Sequence, residues 1–186
     1  LLWLLVLTLF ILVFLLRTKK QNIKYQILTL VFQEIIIIGF FIFLIKTSNP
    51  FNYLFPPPEE GLGLNPILQD PALAIHPPIL YLGYVGTSII FSSVLAATCL
   101  KMISSSWASH IKYWILISWI FLTLGILLGS IWAYYELGWG GFWFWDPVEN
   151  VSLMPWLALT TLLHCILVLE KKSILTSWVI ILSIAT

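Results

Sequence analysis

Three histidines are the side chains in this sequence best suited to bind a metal ion or move a proton, because a neutral imidazole can do both. His76 stands directly before two prolines, at the end of a long irregular segment. His164 lies in a strongly apolar stretch, where an ionisable group is costly and is therefore a functional candidate. The alternative for His164 is a neutral imidazole that is hydrogen-bonded between helices. His110 stands close to Lys112 and is most simply a solvated loop residue.

A second candidate is the run WGGFWFWDPVEN, residues 139 to 150, which holds three tryptophans, two phenylalanines and two carboxylates. So much aromatic surface is useful where it closes over something flat and apolar, or where it lies on the lipid interface. The nearby glycines favour the first alternative, since they let the backbone approach a partner closely. A flat macrocycle such as an iron porphyrin matches this surface, with neutral histidine as an axial ligand. The predicted contact residues are Trp139, Trp143 and Trp145.

The carboxylates of this run resemble an acid and base pair, but a structural role explains them better. Asp146 stands before Pro147, and this order favours capping of a helix that begins near Val148, with Glu149 in its first turn. Glu34 falls within an apolar segment and is expected to be protonated or paired. The sequence has no His and Cys cluster of the zinc type and no glycine-rich phosphate loop.

The composition determines the solvent that must surround these residues. The chain is 60% hydrophobic and 9% charged, with a mean hydropathy of +1.00, so lipid must surround most of it. The net charge of +1 gives no reason to expect nucleic acid. We predict an all-α polytopic membrane helix bundle with about six transmembrane segments, of which the first and last look truncated. The segments are roughly Leu1 to Leu16, Gln26 to Ile45, Ile79 to Leu100, Tyr113 to Trp132, Met154 to Leu169 and Ile174 to Thr186.

Basic residues alternate along the chain in a way that predicts its orientation. The first, third and fifth connections hold all but one of the lysines and arginines that lie between segments. The positive-inside rule therefore puts these connections on the cytoplasmic or matrix side. Two long loops, Lys46 to Pro78 and Ala133 to Pro155, are expected on the outer face. His76 and the aromatic run would then meet at the same membrane surface.

The first outer loop is rich in proline and glycine, which favours extended chain over helix up to the next segment. A long irregular loop of this kind is more often functional than a linker. We divide the chain into three parts. Residues 1–60 hold the N-terminal transmembrane helices and the proline-rich loop. Residues 61–170 form a core with the loop that contains His76 and the loop that contains the aromatic run, called the aromatic loop below. Residues 171–186 begin a further transmembrane helix.

Two long segments resemble the CcmF-type cytochrome c haem lyases, haem-handling membrane proteins with a tryptophan-rich WWD signature. One segment is WAYYELGWGGFWFWDPVENVSLMPW, and the other is GLGLNPILQDPALAIHPPILYLGYVG. Both occur in the order and at the spacing of that family and cover roughly residues 61 to 170. The resemblance identifies the chain as similar to the N-terminal part, or to a split subunit, of such a lyase.

The resemblance implies a function and a set of site residues. Haem brought by a chaperone would be held at the outer face and joined through its vinyl groups to the two thiols of a CxxCH motif in apocytochrome c. His76 would be one of two outer-face histidines that ligate this substrate haem. His164 would be one of two intramembrane histidines that ligate a resident haem b, which keeps the substrate iron reduced. The platform for the substrate haem would comprise Trp139, Trp143, Trp145 and Asp146.

In the family, the second histidine of each pair lies in later spans, which this sequence does not contain. The expected partners are therefore a second lyase chain or C-terminal half that supplies those histidines, together with the haem chaperone, apocytochrome c and membrane lipid. The chain would be part of a multi-chain enzyme and inactive alone. A different class of function is a structural subunit that keeps the fold within a larger inner-membrane respiratory assembly. A haem transporter fits less well, because few spans carry polar residues.

The expected location is the mitochondrial inner membrane or, alternatively, a bacterial inner membrane. The abundance of Ile, Leu and Phe suits an AT-rich organellar gene and favours the first. The aromatic loop would then face the intermembrane space or the periplasm.

Overall fold

The computed structural model describes residues 1–19, 21–53, 55–61, 63–138 and 142–186. Within those ranges the chain forms helices and no strand, with a short 3-10 helix at Pro66–Leu68. The predicted all-α membrane helix bundle is confirmed. The six α-helices are α1 (Leu2–Arg17), α2 (Ile23–Thr47), α3 (Pro71–Cys99), α4 (Ser105–Glu136), α5 (Pro147–Lys172) and α6 (Thr176–Ala185).

Each predicted segment coincides with one helix, but several helices run further than their apolar centres. Among the described residues, α2, α3, α4 and α5 are long and apolar enough to cross a membrane, whereas α1 and α6 are shorter apolar helices. α3 begins at Pro71 rather than at Ile79, and α5 begins at Pro147 rather than at Met154. Hydropathy locates the apolar centre of a helix, whereas its end is set by capping groups that hydropathy does not register.

The expectation that the prolines keep the chain irregular up to the third segment was wrong. Pro77 and Pro78 lie inside α3. Each proline lacks the N–H that would bond back along the helix. Both lie within the first three turns of α3. The helix begins before them, because the Asp70 carboxylate caps it and Pro71 suits its first position.

α3 lies at the centre of the bundle and packs against α1, α2, α4 and α6. Its closest neighbour is α4, because glycines on both helices let the backbones approach. A Cβ atom at Gly125 would lie 2.6 Å from the Cα of Leu80, and one at Gly83 would lie 2.7 Å from the backbone N of Leu122. Neither position has room for a larger side chain, so the glycines set the distance between α3 and α4.

Polar side chains join α2 to α3 inside the bundle. The amide of Gln33 donates to the hydroxyl of Ser88 at 2.9 Å and accepts from Ser92 at 3.0 Å. The hydroxyl of Tyr25 pairs with Ser93 at 2.6 Å and accepts from the indole of Trp107 at 3.1 Å. These buried groups are satisfied between helices, as the lack of water inside a membrane requires.

α4 and α5 are joined by a reciprocal pair of hydrogen bonds. The indole of Trp119 donates to Thr160 at 2.8 Å, and the indole of Trp156 donates to Thr123 at 2.8 Å. The two indole rings also stack, with centroids 6.2 Å apart. Because each helix gives one donor and one acceptor, the register of α4 against α5 is fixed at this level.

Candidate functional site

The start of α3 is held against the end of α4 by one carboxylate. Asp70 caps α3 by accepting from the backbone N of Ala72 at 2.8 Å and of Leu73 at 3.2 Å. The hydroxyl of Tyr135 on α4 donates to the same carboxylate at 2.7 Å. The hydrogen bond from Tyr135 lowers the pKa of Asp70, and the two backbone N–H groups act in the same direction. The cap therefore fixes where α3 begins beside the end of α4.

His76 lies in the second turn of α3 and not in the loop before it. The sequence carried the signal for this, since Asp70 followed by Pro71 is an N-cap and N1 pair. The ring is half-buried against α4. A Cβ atom at Gly129 would lie 2.5 Å from the Cε1 of His76 and 3.0 Å from each ring nitrogen. Gly129 therefore provides the space that the imidazole occupies.

The protonation of the His76 ring follows from its partner. Its Nδ1 lies 2.7 Å from the carbonyl oxygen of Gly125. Because a carbonyl oxygen only accepts, Nδ1 must carry the hydrogen. In the neutral ring, Nε2 then keeps its lone pair. A histidine that donates from one nitrogen to a backbone carbonyl is oriented to bind a metal ion through the other.

The aromatic loop meets His76 at a small cavity. The cavity has a volume of about 80 Å³ and is lined by His76, Trp132, Trp143 and Asp146, among others. An apolar groove of about 350 Å³ adjoins it, lined in part by Trp143 and Phe142. The predicted meeting of His76 with the aromatic loop is thus present in the fold. Trp139, which was also predicted here, lies outside the described residues.

Trp143 and Trp145 do not form one continuous flat surface. Their rings are 5.8 Å apart between centroids and meet edge to face at 83°. Trp145 is 68% exposed and has a left-handed backbone, with φ of +59°. Trp143 is half-buried between the groove and the cavity. A planar ligand could lie flat on only one of these two indoles, and the other would then meet its edge.

Asp146 is a capping residue, as its order with Pro147 predicted. Its carboxylate accepts from the backbone N of Glu149 at 2.6 Å, and the Glu149 carboxylate accepts from the backbone N of Asp146 at 3.4 Å. Glu149 also accepts from the backbone N of Phe144 at 2.8 Å. This reciprocal capping box fixes the end of the aromatic loop on α5. Asp146 is also one of the residues that line the cavity beside His76.

Two tryptophan N–H groups at the cavity have no acceptor in the part of the chain that the structure describes. The Nε1 atoms of Trp132 and Trp143 are buried and have no hydrogen-bond partner among the described residues. Both side chains line the cavity of His76. Because an unsatisfied buried donor is costly, an oxygen acceptor entering this cavity would be stabilised by them. Sequence reasoning missed Trp132, which it assigned to the end of a span near the loop.

His164 lies on a different helix surface from this cavity. It is an exposed residue of α5, and its Nδ1 lies 2.8 Å from the carbonyl oxygen of Thr160, one turn earlier. As at His76, the carbonyl oxygen only accepts, so Nδ1 carries the hydrogen and the neutral ring keeps its lone pair at Nε2. The alternative of an imidazole hydrogen-bonded between helices does not describe His164, because this bond stays within α5. His164 faces away from the bundle.

His110 was expected in an inner loop, and this was wrong. It lies in the second turn of α4, where it is exposed. Ser104 caps this helix through a 3.4 Å bond from the backbone N of Trp107, so α4 begins before the apolar segment does. Lys112 in the next turn pairs with Glu170 of α5 at 2.8 Å. His110 takes no part in the cavity.

The comparison with protein families decides what this arrangement belongs to. A sequence profile described as cytochrome C assembly protein matches residues 1–186. The chain belongs to the cytochrome C assembly protein family. This confirms the resemblance that the two long segments indicated and extends it over the whole chain.

Bacterial members of the family are similar in sequence. The CycK protein of Rhizobium meliloti strain 1021 is 53% identical over 188 residues, which cover 100% of this chain and 28% of that protein. The CcmF protein of Escherichia coli strain K12 is 52% identical over 149 residues, which cover 80% of this chain and 23% of that protein. Both are named cytochrome c-type biogenesis proteins. The chain spans about a quarter of the length of these relatives.

A solved structure shares the fold. The protein titled Cytochrome c Heme Lyase CcmF matches with a TM-score of 0.79 and 32% sequence identity, over 98% of this chain and 28% of that one. The chain is therefore of the CcmF type. The CycK and CcmF relatives from Rhizobium meliloti and Escherichia coli are bacterial, and a mitochondrial origin stays a prediction.

Proposed function

We propose that this chain is the N-terminal part of a cytochrome c haem lyase of the CcmF type, acting in cytochrome c maturation at an inner membrane. The observation that carries the proposal is the ring of His76. Its Nδ1 is bonded to the carbonyl of Gly125, its Nε2 is left with a lone pair, and its cavity is shared with Trp143. An iron macrocycle needs such a nitrogen beside an aromatic surface.

The substrate of this site is haem. His76 would ligate the iron, with the apolar groove beside Trp143 receiving part of the macrocycle. Trp145, edge-on to Trp143, would contact the rim, and Asp146 would hold the loop that carries both. The unsatisfied N–H groups of Trp132 and Trp143 offer donors for an oxygen acceptor at the same place. Trp139 is part of the proposed platform on the ground of the family resemblance.

The reaction would join the haem to apocytochrome c. Each thiol of a CxxCH motif adds across one vinyl double bond of the haem, forming a C–S bond while the thiol hydrogen goes to the other vinyl carbon. No group leaves, and the addition itself transfers no electrons. The residues of this chain would hold the haem and limit water around the vinyl carbons, which is catalysis by positioning.

His164 is proposed as one ligand of a resident haem b. Its Nε2 lone pair and its outward position suit a ligand whose opposite histidine comes from outside residues 1–186. When bound, haem b would supply one-electron chemistry, giving an electron to the substrate iron and becoming oxidised itself. The Thr160 carbonyl would keep the ring in the ligating tautomer.

The proposed partners supply the ligands and substrates that the residues of this chain do not. A second chain or C-terminal half would supply the missing histidines, a haem chaperone would bring the substrate, and apocytochrome c would accept it. Four membrane-spanning helices in the described residues fit a multi-pass inner-membrane protein. The aromatic loop would face the periplasm or, in an organelle, the intermembrane space.

The test is spectroscopy of the intact complex purified in detergent, with mass spectrometry of its subunits. We expect a stoichiometric b-type band in the pyridine haem and reduced-minus-oxidised spectra. His164→Ala should abolish this band while membrane insertion stays intact, whereas the matched variant His110→Ala should keep it. A complex that holds no haem and co-purifies only with respiratory enzymes would overturn the lyase and support a structural subunit.

A further inference from the structure

We propose that the outward face of α2 around Glu34 is a docking surface for a transmembrane helix that carries a basic side chain at the middle of the membrane. This helix would come from outside residues 1–186. The proposal concerns assembly and does not depend on haem binding. Its central residue, Glu34, has no part in the cavity or in the capping contacts described above.

Glu34 lies at the depth where a carboxyl group is least tolerated. It stands between Lys24 and Lys46, which mark the two ends of α2. At about 1.5 Å per residue, each of these lysines is roughly 15 to 18 Å from Glu34 along the helix. The side chain of a glutamate is too short to reach water from there, so it cannot avoid the membrane interior by extending to the surface.

The side chain points away from the bundle. Gln33, the preceding residue, is fully buried and bonded to Ser88 and Ser92 of α3. Glu34 is exposed and has no hydrogen bond or ion pair within the described residues. α2 thus satisfies one polar group inside the bundle and turns the next one outward. A carboxyl in that position needs a partner that this part of the chain does not supply.

The residues around Glu34 form a surface suited to helix packing. They recur at helical spacing and are all large and exposed: Ile27 at 55%, Val31 at 45%, Ile35 at 58% and Ile38 at 54%. This stripe by itself suits lipid as well as protein. The carboxyl in its middle decides between them, because hydrocarbon offers neither a counter-charge nor a hydrogen bond.

A basic side chain is the partner that fits the carboxyl group. In the described residues, the lysines and arginines lie at helix ends or in connections, except for Lys112, which lies eight residues into α4 and is paired with Glu170. A second copy packed through its own α2 would bring two carboxyl groups together, which is unfavourable when both are ionised. The relatives extend well beyond the matched quarter, so further chain is available in this family.

Photo-crosslinking of the intact complex in lipid nanodiscs tests the proposal. A photoreactive amino acid at Ile38 leaves Glu34 in place and lies one turn away on the same stripe. We expect a crosslinked peptide from outside residues 1–186, apolar and with Lys, Arg or His within one helical turn of the linked residue. Lipid adducts alone, a peptide without a basic residue, or a peptide from a second copy of residues 1–186 would overturn the proposal.

A charge exchange then tests the pairing itself. Glu34→Arg should reduce co-purification of the crosslinked segment by about tenfold or more, because two like charges would meet in the membrane. The matched change Glu59→Arg, in an exposed loop, should leave it unchanged. Combining Glu34→Arg with an acidic residue at the identified basic position should restore assembly. If the combined variant assembles no better than Glu34→Arg alone, the basic residue is not the partner of Glu34.

Discussion

The imidazole Nδ1 of His76 lies 2.7 Å from the carbonyl oxygen of Gly125 on the neighbouring helix. This contact joins α3 to α4 and at the same time selects the neutral tautomer with a free Nε2. His164 reaches the same state within one helix, through the carbonyl of Thr160 at 2.8 Å. In both places a backbone carbonyl fixes the orientation and the tautomer of the imidazole ring, so a ligand would not have to reorient it.

Gly129→Ala should displace the ring of His76. The added Cβ would lie 2.5 Å from Cε1, and relief of this clash should cost about 1 to 3 kcal/mol of stability. We expect weaker retention of substrate haem and an altered axial-ligand spectrum in the purified complex. Gly39→Ala is the matched control, because nothing lies within 4 Å of a Cβ at that position on α2. Unchanged retention and spectrum in Gly129→Ala would show that the ring does not ligate from its place against α4.

His76→Ala should weaken the capture of substrate haem and leave the resident haem b in place. The variant would lack the axial nitrogen that His76 offers at the cavity, whereas α3 and its cap are expected to stay in place. Haem retained after loading by the chaperone is the measurement, and added imidazole should restore part of it by entering the vacated space. His110→Ala, on an exposed surface of α4, is the control. Equal haem retention in both variants would remove His76 from the site.

The sequence predicts the helices well, because lipid imposes a long apolar run on each of them. It predicts their ends less well. The beginning of α3 was placed at Ile79 because the prolines before it argue against helix, whereas the cap at Asp70 and Pro71 starts the helix earlier. The two signals compete, and the cap prevails even though Pro77 and Pro78 lie inside α3 and each gives up one helical hydrogen bond.

The site was predictable only in part for a related reason. His76, Trp143 and Asp146 stand out by residue type, and the fold brings them to one cavity. Gly125 and Gly129 do not stand out, since their role depends on which helix packs against α4 and at what height. That pairing is a property of two helices together, which the hydropathy of either one cannot reveal.

Asp146→Ala and Asp146→Asn should behave differently. Asparagine can accept the hydrogen bond from the backbone N of Glu149, whereas alanine cannot. Alanine should therefore destabilise the start of α5 by about 1 kcal/mol and loosen the aromatic loop. Thermal unfolding of the detergent-solubilised complex, together with haem retention, measures both effects. If Asp146→Asn loses haem as fully as Asp146→Ala, then the negative charge of Asp146 acts on the haem directly.

Tyr135→Phe should make the start of α3 more sensitive to acid. The hydrogen bond from Tyr135 lowers the pKa of Asp70 in the folded protein. The stabilisation from this carboxylate is therefore complete above the pKa of an ordinary aspartate and is lost as pH falls through the lower folded value. Without the hydroxyl, the pKa of Asp70 in the folded protein moves back up, so the carboxylate that caps α3 is protonated at a higher pH.

Hydrogen exchange of the amides of Ala72 and Leu73, which Asp70 caps, measures this loss, followed from about pH 6 to about pH 3 with correction for intrinsic rates. We expect the midpoint of deprotection to lie higher in Tyr135→Phe than in the unmodified protein. Tyr53→Phe is the control, because Tyr53 is 98% exposed and has no bond to Asp70. Coincident profiles for Tyr135→Phe and Tyr53→Phe would mean that the Tyr135 hydroxyl does not hold the cap of α3, and that α3 and α4 are aligned by their glycines and by the His76–Gly125 hydrogen bond.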